Sequence, residues 1–314
     1  MAQWNIDTLT VAGAAPESHR LPEHLTARAL YAVTASPVNR RVRMQYPCRM
    51  NSTLAPAGPS RELTVALEAA RAATEVINRL YRRNLAVTIK SDRSPVTEAD
   101  VQSEQAIRAV LEKNFPTYGF YGEETGQRAM DAANVWLVDP IDGTKSFVRD
   151  TPFFSTQIAL LRAGRLVLGV SCAPAYGELA WAEVGGGAYL NDQPIRVSGV
   201  DSLGGAILST GNLKTLAASA AGWSRFGALV GRVNRLRGYG DFVHYHLLAR
   251  GALDVVVESD VNILDIAALT VIVREAGGVF TQLDGQPVGL ATTTVLASNA
   301  VLHAPVLAAL NGAA

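Results

Sequence analysis

WLVDPIDGTKSFV, residues 136–148, contains the pattern that decides how this chain folds. The apolar run at 135–138 predicts a buried strand that delivers Asp139 at its carboxyl end. Asp142 follows three positions later, across Pro140. Two carboxylates this close repel each other, and a hard divalent cation with oxygen ligands relieves the repulsion. The segment therefore predicts a metal site at the end of a strand.

Gly143 and Thr144 follow directly and predict the start of a helical turn, whose free N–H groups bind phosphate readily. A plain surface turn is one alternative, because Asp, Pro and Gly are common turn residues. Another is the haloacid-dehalogenase type of phosphatase, in which a strand precedes Asp-x-Asp-Gly-Thr and the first Asp is the nucleophile. Two residues separate Asp139 from Asp142 where that motif has one, which counts against a phospho-aspartate mechanism.

The composition is that of an ordinary globular protein. Of 314 residues, 48% are apolar and 18% charged, and 28 basic residues balance 28 acidic ones. Zero net charge gives no reason to expect nucleic acid or an acidic membrane surface as a partner. Cys48 and Cys172 are too few for a disulfide framework or a zinc site, which favours a reducing, cytoplasmic compartment. No apolar run approaches the ~20 residues of a membrane span.

Residues 1–57 differ from the rest, with scattered prolines and an excess of arginine. This composition predicts a disordered or loosely attached extension. A transit peptide is an alternative, against which the acids Asp7, Glu17 and Glu23 stand. Met50 offers a second start just before the organised part, so an over-long gene model is the interpretation we favour.

The organised part predicts two lobes in a layered α+β and α/β arrangement. Residues 58–200 are expected to form an N-terminal α+β lobe with a large antiparallel sheet and the metal site. Residues 201–314 alternate strands with helices, which predicts a smaller α/β lobe. Ser60 has the chemistry to cap the first helix, which is expected to run to about Arg83.

Two further acids extend the candidate metal site. Glu123 follows a short predicted strand, 118–121, some fifteen residues before Asp139, where it is placed to complete the coordination shell. Alternatively it belongs to an ordinary polar loop. Asp265 begins an almost wholly apolar helix, where the helix dipole alone favours an acid. Its alternative role is a third metal-binding carboxylate on a rigid element.

Three polar residues have both a structural and a chemical interpretation. Asp100 and Thr97 have capping-box spacing, but Asp100 is also a candidate to orient or deprotonate an attacking water. Lys90 either neutralises nearby acids or is a solvated lysine. Glu258 ends an apolar strand seven residues before Asp265 and is expected to face the same cleft.

Three separated motifs together resemble the inositol monophosphatase superfamily of magnesium-dependent, lithium-sensitive phosphatases. In chain order they are the Glu123-Glu124 pair, the segment 139–144 and the Asp265 helix that ends at 275–278. The resemblance covers roughly residues 60–312. It implies an αβαβα layered fold, a phosphoric monoester hydrolase acting on a small phosphorylated metabolite, and a homodimer. One departure is Leu264, where the family has Trp before the last Asp.

The resemblance also implies a set of site residues. Two or three Mg²⁺ ions would be bound, with Li⁺ inhibitory, by Glu123, Asp139, the Ile141 carbonyl, Asp142 and Asp265. Thr144 and Asp100 would position a metal-activated water for in-line attack on phosphorus, while the Gly143 and Thr144 amides would hold phosphate oxygens.

Within the superfamily, the segments 142–156 and 235–259 are most similar to the histidinol-phosphatase branch. Histidinol phosphate carries an amine and an imidazole, so acceptors such as Asp241 and Glu258 would suit it. Arg237 is expected to meet the phosphate or to support Asp241, for which a helix cap is the alternative role. His244 and His246 are interpreted as ordinary helix residues, because magnesium prefers oxygen ligands.

The predicted activity is hydrolysis of L-histidinol phosphate, a step of histidine biosynthesis. Alternatives are an inositol-1-phosphate phosphatase, a broad sugar-phosphate phosphatase, and a catalytically silent metal or phosphate binder acting as a regulator. Retention of every expected carboxylate and of Thr144 argues against the silent binder.

Overall fold

The computed structural model describes residues 58–83, 85–90 and 95–312. The extension predicted for residues 1–57 lies outside these described residues. The helices are α1 Arg61–Leu80, α2 Glu98–Asn114, α3 Thr144–Val148, α4 Lys214–Ala218, α5 Ala220–Val230, α6 Asp241–Ala249, α7 Ile263–Glu275 and α8 His303–Asn311, with a 3₁₀ turn at Leu203–Gly205.

The strands form three sheets. They are β1 Val87–Ile89, β2 Pro95–Thr97, β3 Gly119–Gly122, β4 Gly126–Arg128, β5 Asn134–Asp142, β6 Ser155–Arg162, β7 Arg165–Ala173, β8 Glu178–Glu183, β9 Gly187–Leu190, β10 Gln193–Ile195, β11 Ile207–Thr210, β12 Arg235–Arg237, β13 Val255–Ser259, β14 Gly278–Thr281 and β15 Thr294–Asn299. β1 and β2 pair only with each other.

The large sheet has the order β10-β9-β8-β7-β6-β5-β3-β4. Its pairs are antiparallel, as predicted, except that β3 runs parallel to β5. The hairpin β3–β4 returns the chain so that β5 re-enters on the other side of β3. Because parallel strands end at the same edge of a sheet, this pairing brings the residues after β3 beside the end of β5.

Helices α1 and α2 cover one face of this sheet. Ser60 caps α1 by accepting the Leu63 N–H at 3.0 Å, as predicted, but the helix ends at Leu80 because Tyr81 adopts an extended ψ of 137°. Leu63 and Ile107 pack there on Trp136 in a shared apolar core.

Helix α7 lies against the opposite face of the large sheet. Alternate residues of β5 point to opposite faces of the sheet. Trp136 faces α1 and α2, while Val135 and Leu137 are part of the core around α7. Gly169 of β7 permits a close approach, because a Cβ there would lie 2.3 Å from the Ala268 carbonyl oxygen of α7. Helix α7 therefore rests directly on the sheet.

The second sheet has the order β12-β11-β13-β15-β14, with β11 parallel to both of its neighbours and the remaining pairs antiparallel. Val256 of β13 faces the core that includes α7, whereas Val255 and Val257 face a core that includes Phe226 of α5 and Val306 of α8. The layers are thus αβαβα, which confirms the predicted layered sandwich.

The passage from the first sheet to the second lies between β10 and β11, close to the predicted lobe boundary at residue 200. Helix α7, however, shares its core with both sheets. The division into lobes at 58–200 and 201–314 stays a prediction. In the described part of the chain, no helix is long and apolar enough to cross a membrane.

Substitution Gly169→Ala is expected to lower the free energy of unfolding by about 2 kcal/mol, because the added methyl group forces α7 away from the sheet. Urea unfolding monitored by circular dichroism measures the effect. Gly199→Ala is the matched control, since a Cβ there meets nothing within 4 Å, and its expected change is within about 0.5 kcal/mol. Equal stability of both variants would contradict the close packing of α7.

Candidate active site

Asp139 and Asp142 lie at the end of β5 around a β-bulge. Residues three apart on a regular strand point to opposite faces. Here Asp139 pairs with Gln157 and Asp142 with Ser155, so β5 carries one residue more than β6 over this interval. Pro140 is tolerated because it lies within the bulge. The extra residue turns both aspartates toward the same side.

Asp265 reaches this position from α7. It is the third residue of the helix, and its carboxylate accepts the N–H of the N-cap residue Asn262 at 2.9 Å. Ligand oxygens of Asp139, Asp142 and Asp265 all lie within 4.8 Å of one another. The structure thus brings together three of the predicted metal ligands, and the helix-cap role of Asp265 exists beside its place in this cluster.

The electrostatics of the three-carboxylate cluster favour a bound cation. Burial, then the charges of neighbouring acids, raise the pKa of Asp139 and of Asp142 well above the ordinary range. Burial likewise raises the pKa of Asp265 to about 7, with the Glu123 and Glu258 charges adding to it. Three acids that oppose ionisation are a suitable donor set for a hard divalent ion, which supplies the missing positive charge.

Glu123 lies directly after β3, where its N–H donates to the Val138 carbonyl at 3.2 Å. Its charge contributes to the raised pKa of Asp139, so the two carboxylates are close. Lys90 forms ion pairs with Glu123 at 3.1 Å and Glu124 at 2.6 Å. Burial lowers the pKa of Lys90, but the contacts with Glu124 and Glu123 outweigh burial and hold it above its usual range. Lys90 therefore neutralises these acids.

Thr144 connects the bulge to α2. Its hydroxyl lies 3.0 Å from Asp100 Oδ1 and 3.1 Å from the Ile141 carbonyl oxygen. The hydroxyl carries one proton, so these two acceptors share it. The other oxygen of Asp100 accepts the Thr97 N–H at 2.7 Å, which is the capping-box contact, and it also accepts the Thr97 hydroxyl at 2.6 Å. Both predicted roles of Asp100 are therefore geometrically compatible.

Gly143 precedes α3 with φ 91°, a left-handed conformation that favours glycine. A Cβ there would lie 2.5 Å from the Phe153 carbonyl oxygen. The chain therefore turns sharply after Asp142, and α3 begins at Thr144 where the sequence predicted a helical start.

Asp241 and Glu258 line a cavity of about 250 Å³ together with residues of the segments 210–212 and 238–240. Both acids also line, with Asp142 and Asp265, a smaller recess at the metal cluster. Burial, then the Glu258 charge, raises the pKa of Asp241 to about 6. The predicted substrate acids thus adjoin the predicted metal acids.

Glu258 is held by donors that the sequence analysis did not identify. His244 Nε2 lies 3.1 Å and the Tyr245 hydroxyl 2.8 Å from Glu258 Oε2, while the Asn212 N–H donates to Oε1 at 3.1 Å. Burial raises the pKa of Glu258, but His244 and Tyr245 outweigh burial and lower it overall. The spacing of His244 and Tyr245 three and four residues after Asp241 places all three on one side of α6, and that spacing was a usable signal.

A second buried network lies behind Asp142. His246 Nε2 lies 2.9 Å from Ser171 Oγ, which accepts from Gln157 Nε2 at 3.0 Å. The Gln157 amide also donates to Ser155 at 2.7 Å, and Ser155 Oγ lies 3.5 Å from Asp142 Oδ2. The network joins residues of α6, β7, β6 and β5 that are far apart in the sequence, so no local pattern in the sequence predicts it.

Arg237 is exposed at the end of the edge strand β12, and its guanidinium donates to the Leu236 carbonyl at 2.8 Å. Among the described residues it has no hydrogen bond to Asp241. Its predicted contact with phosphate stays a prediction.

Comparison with known proteins agrees with this arrangement. The family profile "Inositol monophosphatase family" matches residues 59–313. A histidinol-phosphatase of Mycobacterium tuberculosis is 40% identical over 262 residues, which cover 80% of this chain and 98% of that protein. An inositol-1-monophosphatase of Mesorhizobium japonicum is 33% identical over 264 residues, covering 79% and 95% of the two chains. The crystal structure of the extragenic suppressor protein suhB from Bartonella henselae has a TM-score of 0.74 at 32% identity, covering 80% of this chain and 98% of that one.

The fold, the acid cluster and these relatives define a phosphoric monoester hydrolase that acts on small phosphorylated substrates. The cluster of Asp139, Asp142 and Asp265 fits metal binding. The chain belongs to the inositol monophosphatase family.

The metal-free protein is expected to lose stability as the pH rises from about 4 to about 7. Asp265 and Asp241 have pKa values of about 7 and about 6 when folded, above the ordinary value of 3.8, so the folded state binds protons more tightly than the unfolded state. Their contribution is complete below the ordinary pKa and disappears above the folded one. Melting temperatures in EDTA measure this trend.

Added Mg²⁺ is expected to raise the melting temperature more at about pH 8 than at about pH 5, because it competes with protons for the same oxygens. Asp265→Asn is the matched variant and should flatten the pH trend in EDTA. A melting temperature in EDTA that rises between about pH 5 and 7 would contradict the cited pKa values.

Proposed function

We propose that this phosphatase hydrolyses L-histidinol phosphate to L-histidinol and phosphate with Mg²⁺ as its cofactor. The observation that carries the proposal is the pair Asp241 and Glu258, which line a cavity adjoining the metal-site carboxylates Asp142 and Asp265. A phosphate ester bound at the metal site would extend its alcohol portion toward two acids. Such a pocket suits an alcohol that carries positive charge.

Of the two acids that line the cavity, Asp241 is the one without a hydrogen-bonded partner among the described residues. No hydrogen bond to its carboxylate is present among the described residues, and its pKa is raised to about 6 by burial and by the Glu258 charge. Its backbone has φ 45°, an unfavourable conformation for a residue with a side chain. Residues in strained backbone conformations cluster at functional sites, where the surrounding structure holds their side chains in place. A protonated amine would supply the charge that Asp241 lacks.

Glu258 differs from Asp241 because His244, Tyr245 and Asn212 already hold it as a carboxylate. It provides a fixed negative charge at the base of the cavity, 3% exposed. Glu258 thus offers an acceptor that its partners already orient, and Asp241 offers an acceptor that is available to a ligand. This pair fits a substrate with an amine and an imidazole.

The chain's own residues provide the remaining catalytic requirements. Asp139, Asp142 and Asp265, with Glu123 and the Ile141 carbonyl, would hold divalent metal ions. When bound, such ions stabilise the negative charge that develops during phosphoryl transfer. The Gly143 and Thr144 amides at the start of α3 would orient phosphate oxygens.

Thr144 and Asp100 would orient the attacking water. The Thr144 hydroxyl donates its proton toward Asp100 Oδ1 at 3.0 Å, which leaves its oxygen lone pairs available to accept from a water molecule. Burial raises the pKa of Asp100 although its hydrogen bonds from Thr97 and Thr144 act in the opposite direction. A carboxylate with a raised pKa is a suitable proton acceptor, and no covalent phospho-enzyme is required.

Similarity supports the same substrate. The histidinol-phosphatases of Mycobacterium tuberculosis and Streptomyces coelicolor are 40% and 38% identical to this chain. An inositol-1-phosphate ester is the second candidate, because the Thr210 and Asn212 side of the cavity offers hydroxyl and amide groups suited to a polyol. The contact between Thr144 and Asp100 opposes the silent-binder alternative, since a regulator has no use for an oriented water.

Phosphate release from L-histidinol phosphate is expected to exceed release from myo-inositol 1-phosphate, and to require Mg²⁺. EDTA and Asp139→Asn should each reduce it to background, because both remove the charge stabilisation at the bulge. A preference for the inositol ester would contradict the proposed substrate and keep the metal site. Turnover unaffected by EDTA would contradict the proposed cofactor.

Substitution Asp241→Asn is expected to lower kcat/KM for L-histidinol phosphate by roughly 10- to 100-fold, the value of one charge-assisted hydrogen bond. Release from myo-inositol 1-phosphate should change much less, because that alcohol is neutral. Asp192→Asn, in the β9–β10 turn, is the matched control. An equal decrease in kcat/KM for both esters would show that Asp241 supports the site but does not distinguish a charged alcohol from a neutral one.

A further inference from the structure

Glu104 of α2 is a fully buried acid with both oxygens engaged. Its side chain is 0% exposed. Oε2 accepts the Glu124 N–H at 2.8 Å, and Oε1 accepts the Thr125 N–H at 2.8 Å. A carboxylate is costly to bury unless it is hydrogen-bonded, and two backbone donors aimed at it satisfy that requirement. Glu104 therefore clamps the turn that follows β3.

The fit at this clamp is close. A Cβ on Gly122 would lie 2.6 Å from Glu104 Cδ and Oε2, so only glycine leaves space for the carboxylate. On the other side of the turn, the Glu123 N–H donates to the Val138 carbonyl of β5 at 3.2 Å. The backbone around Glu123 is thus fixed twice. The N–H of Glu123 is bound to the sheet, and the next two N–H groups are bound to Glu104.

Helix α2 also holds the opposite side of the site. Asp100 and Glu104 are four residues apart and lie on the same face of the helix. Asp100 contacts Thr144 at 3.0 Å, while Glu104 holds the Glu124 and Thr125 amides. One rigid element therefore sets the separation between the Thr144 hydroxyl and the turn that carries Glu123.

We propose that Glu104 is a positioning residue for metal binding, which acts by fixing Glu123 beside Asp139. The inference rests on the proposed metal-binding role of Glu123. Groups that orient a ligand without touching the metal have a measurable effect, since their loss typically weakens metal affinity by 10- to 100-fold. A purely structural role would lower stability without a specific effect on the metal.

Glu104→Gln tests the clamp. A glutamine side chain has one acceptor oxygen, so its amide group would meet the second backbone N–H as donor against donor. Calorimetric titration of Mn²⁺ and Mg²⁺ into the metal-free protein is expected to show affinity lower by roughly tenfold or more. The kcat at saturating Mg²⁺ should stay near that of the unsubstituted protein. Glu112→Gln is the matched control, because Glu112 of α2 forms surface ion pairs with Arg108 and Arg128, away from the turn that carries Glu123.

A double-substitution cycle separates positioning from general destabilisation. If Glu104 acts through Glu123, the variant Glu104→Gln/Glu123→Gln should bind metal no more weakly than Glu123→Gln alone. Losses that multiply, or an unchanged affinity in Glu104→Gln, would overturn the inference. Gly122→Ala is a second variant should Glu104→Gln not fold, because it displaces the carboxylate without removing it and predicts the same weakened affinity.

The two proposals fail in distinguishable ways. Absence of Mn²⁺ and Mg²⁺ binding by the unsubstituted protein would overturn both the metal role and the role of Glu104. Normal binding with an unchanged Glu104→Gln variant would overturn only the role of Glu104. A different preferred phosphate ester would leave the Glu104 inference intact.

Discussion

Mutual repulsion among three crowded carboxylates, one buried and two half-buried, is the constraint on which this structure depends. A strand bulge and a capped helix place Asp139, Asp142 and Asp265 so that ligand oxygens of all three lie within 4.8 Å of one another. Each acid resists ionisation in that position. The rigid scaffold keeps the acids together, and a divalent cation is the partner that makes their proximity favourable.

The layers of the fold explain how acids from distant parts of the sequence meet. The parallel pairing of β3 with β5 places Glu123 beside the bulge, and the close approach of α7 at Gly169 brings Asp265 over it. Helix α2 contributes Asp100 and Glu104 from the other face. Interior packing on both sides of one strand therefore brings these residues together.

Local patterns in the sequence predicted many of the helices, strands and clustered acids. They did not predict which distant strands pair. The apolar run of β5, the cap at Ser60 and the start of α3 follow from short-range rules of periodicity and capping. The strand does not end at Asp139 as predicted, because the bulge carries β5 on to Asp142. The cluster of Asp139, Asp142 and Asp265 was predictable because the motifs that carry these acids are distinctive. The β3–β5 pairing was not, since strand order is decided by the whole sheet. Glu104 was not either, because it stands among other polar residues of α2 and only its backbone partners twenty residues later distinguish it.

Helix α7 is enclosed by two sheets, and that position limits how far Asp265 can be moved. Nearly every side chain around Asp265 belongs to a core shared by both sheets, so moving this acid requires repacking two interiors at once. Asp241 begins α6 just after Gly238 and Tyr239, which are exposed, and it lies at the wall of a cavity and not inside a core. Asp265 can therefore be moved only by rebuilding the interior, whereas the surroundings of Asp241 can be altered at the rim of the cavity with the layered core left in place.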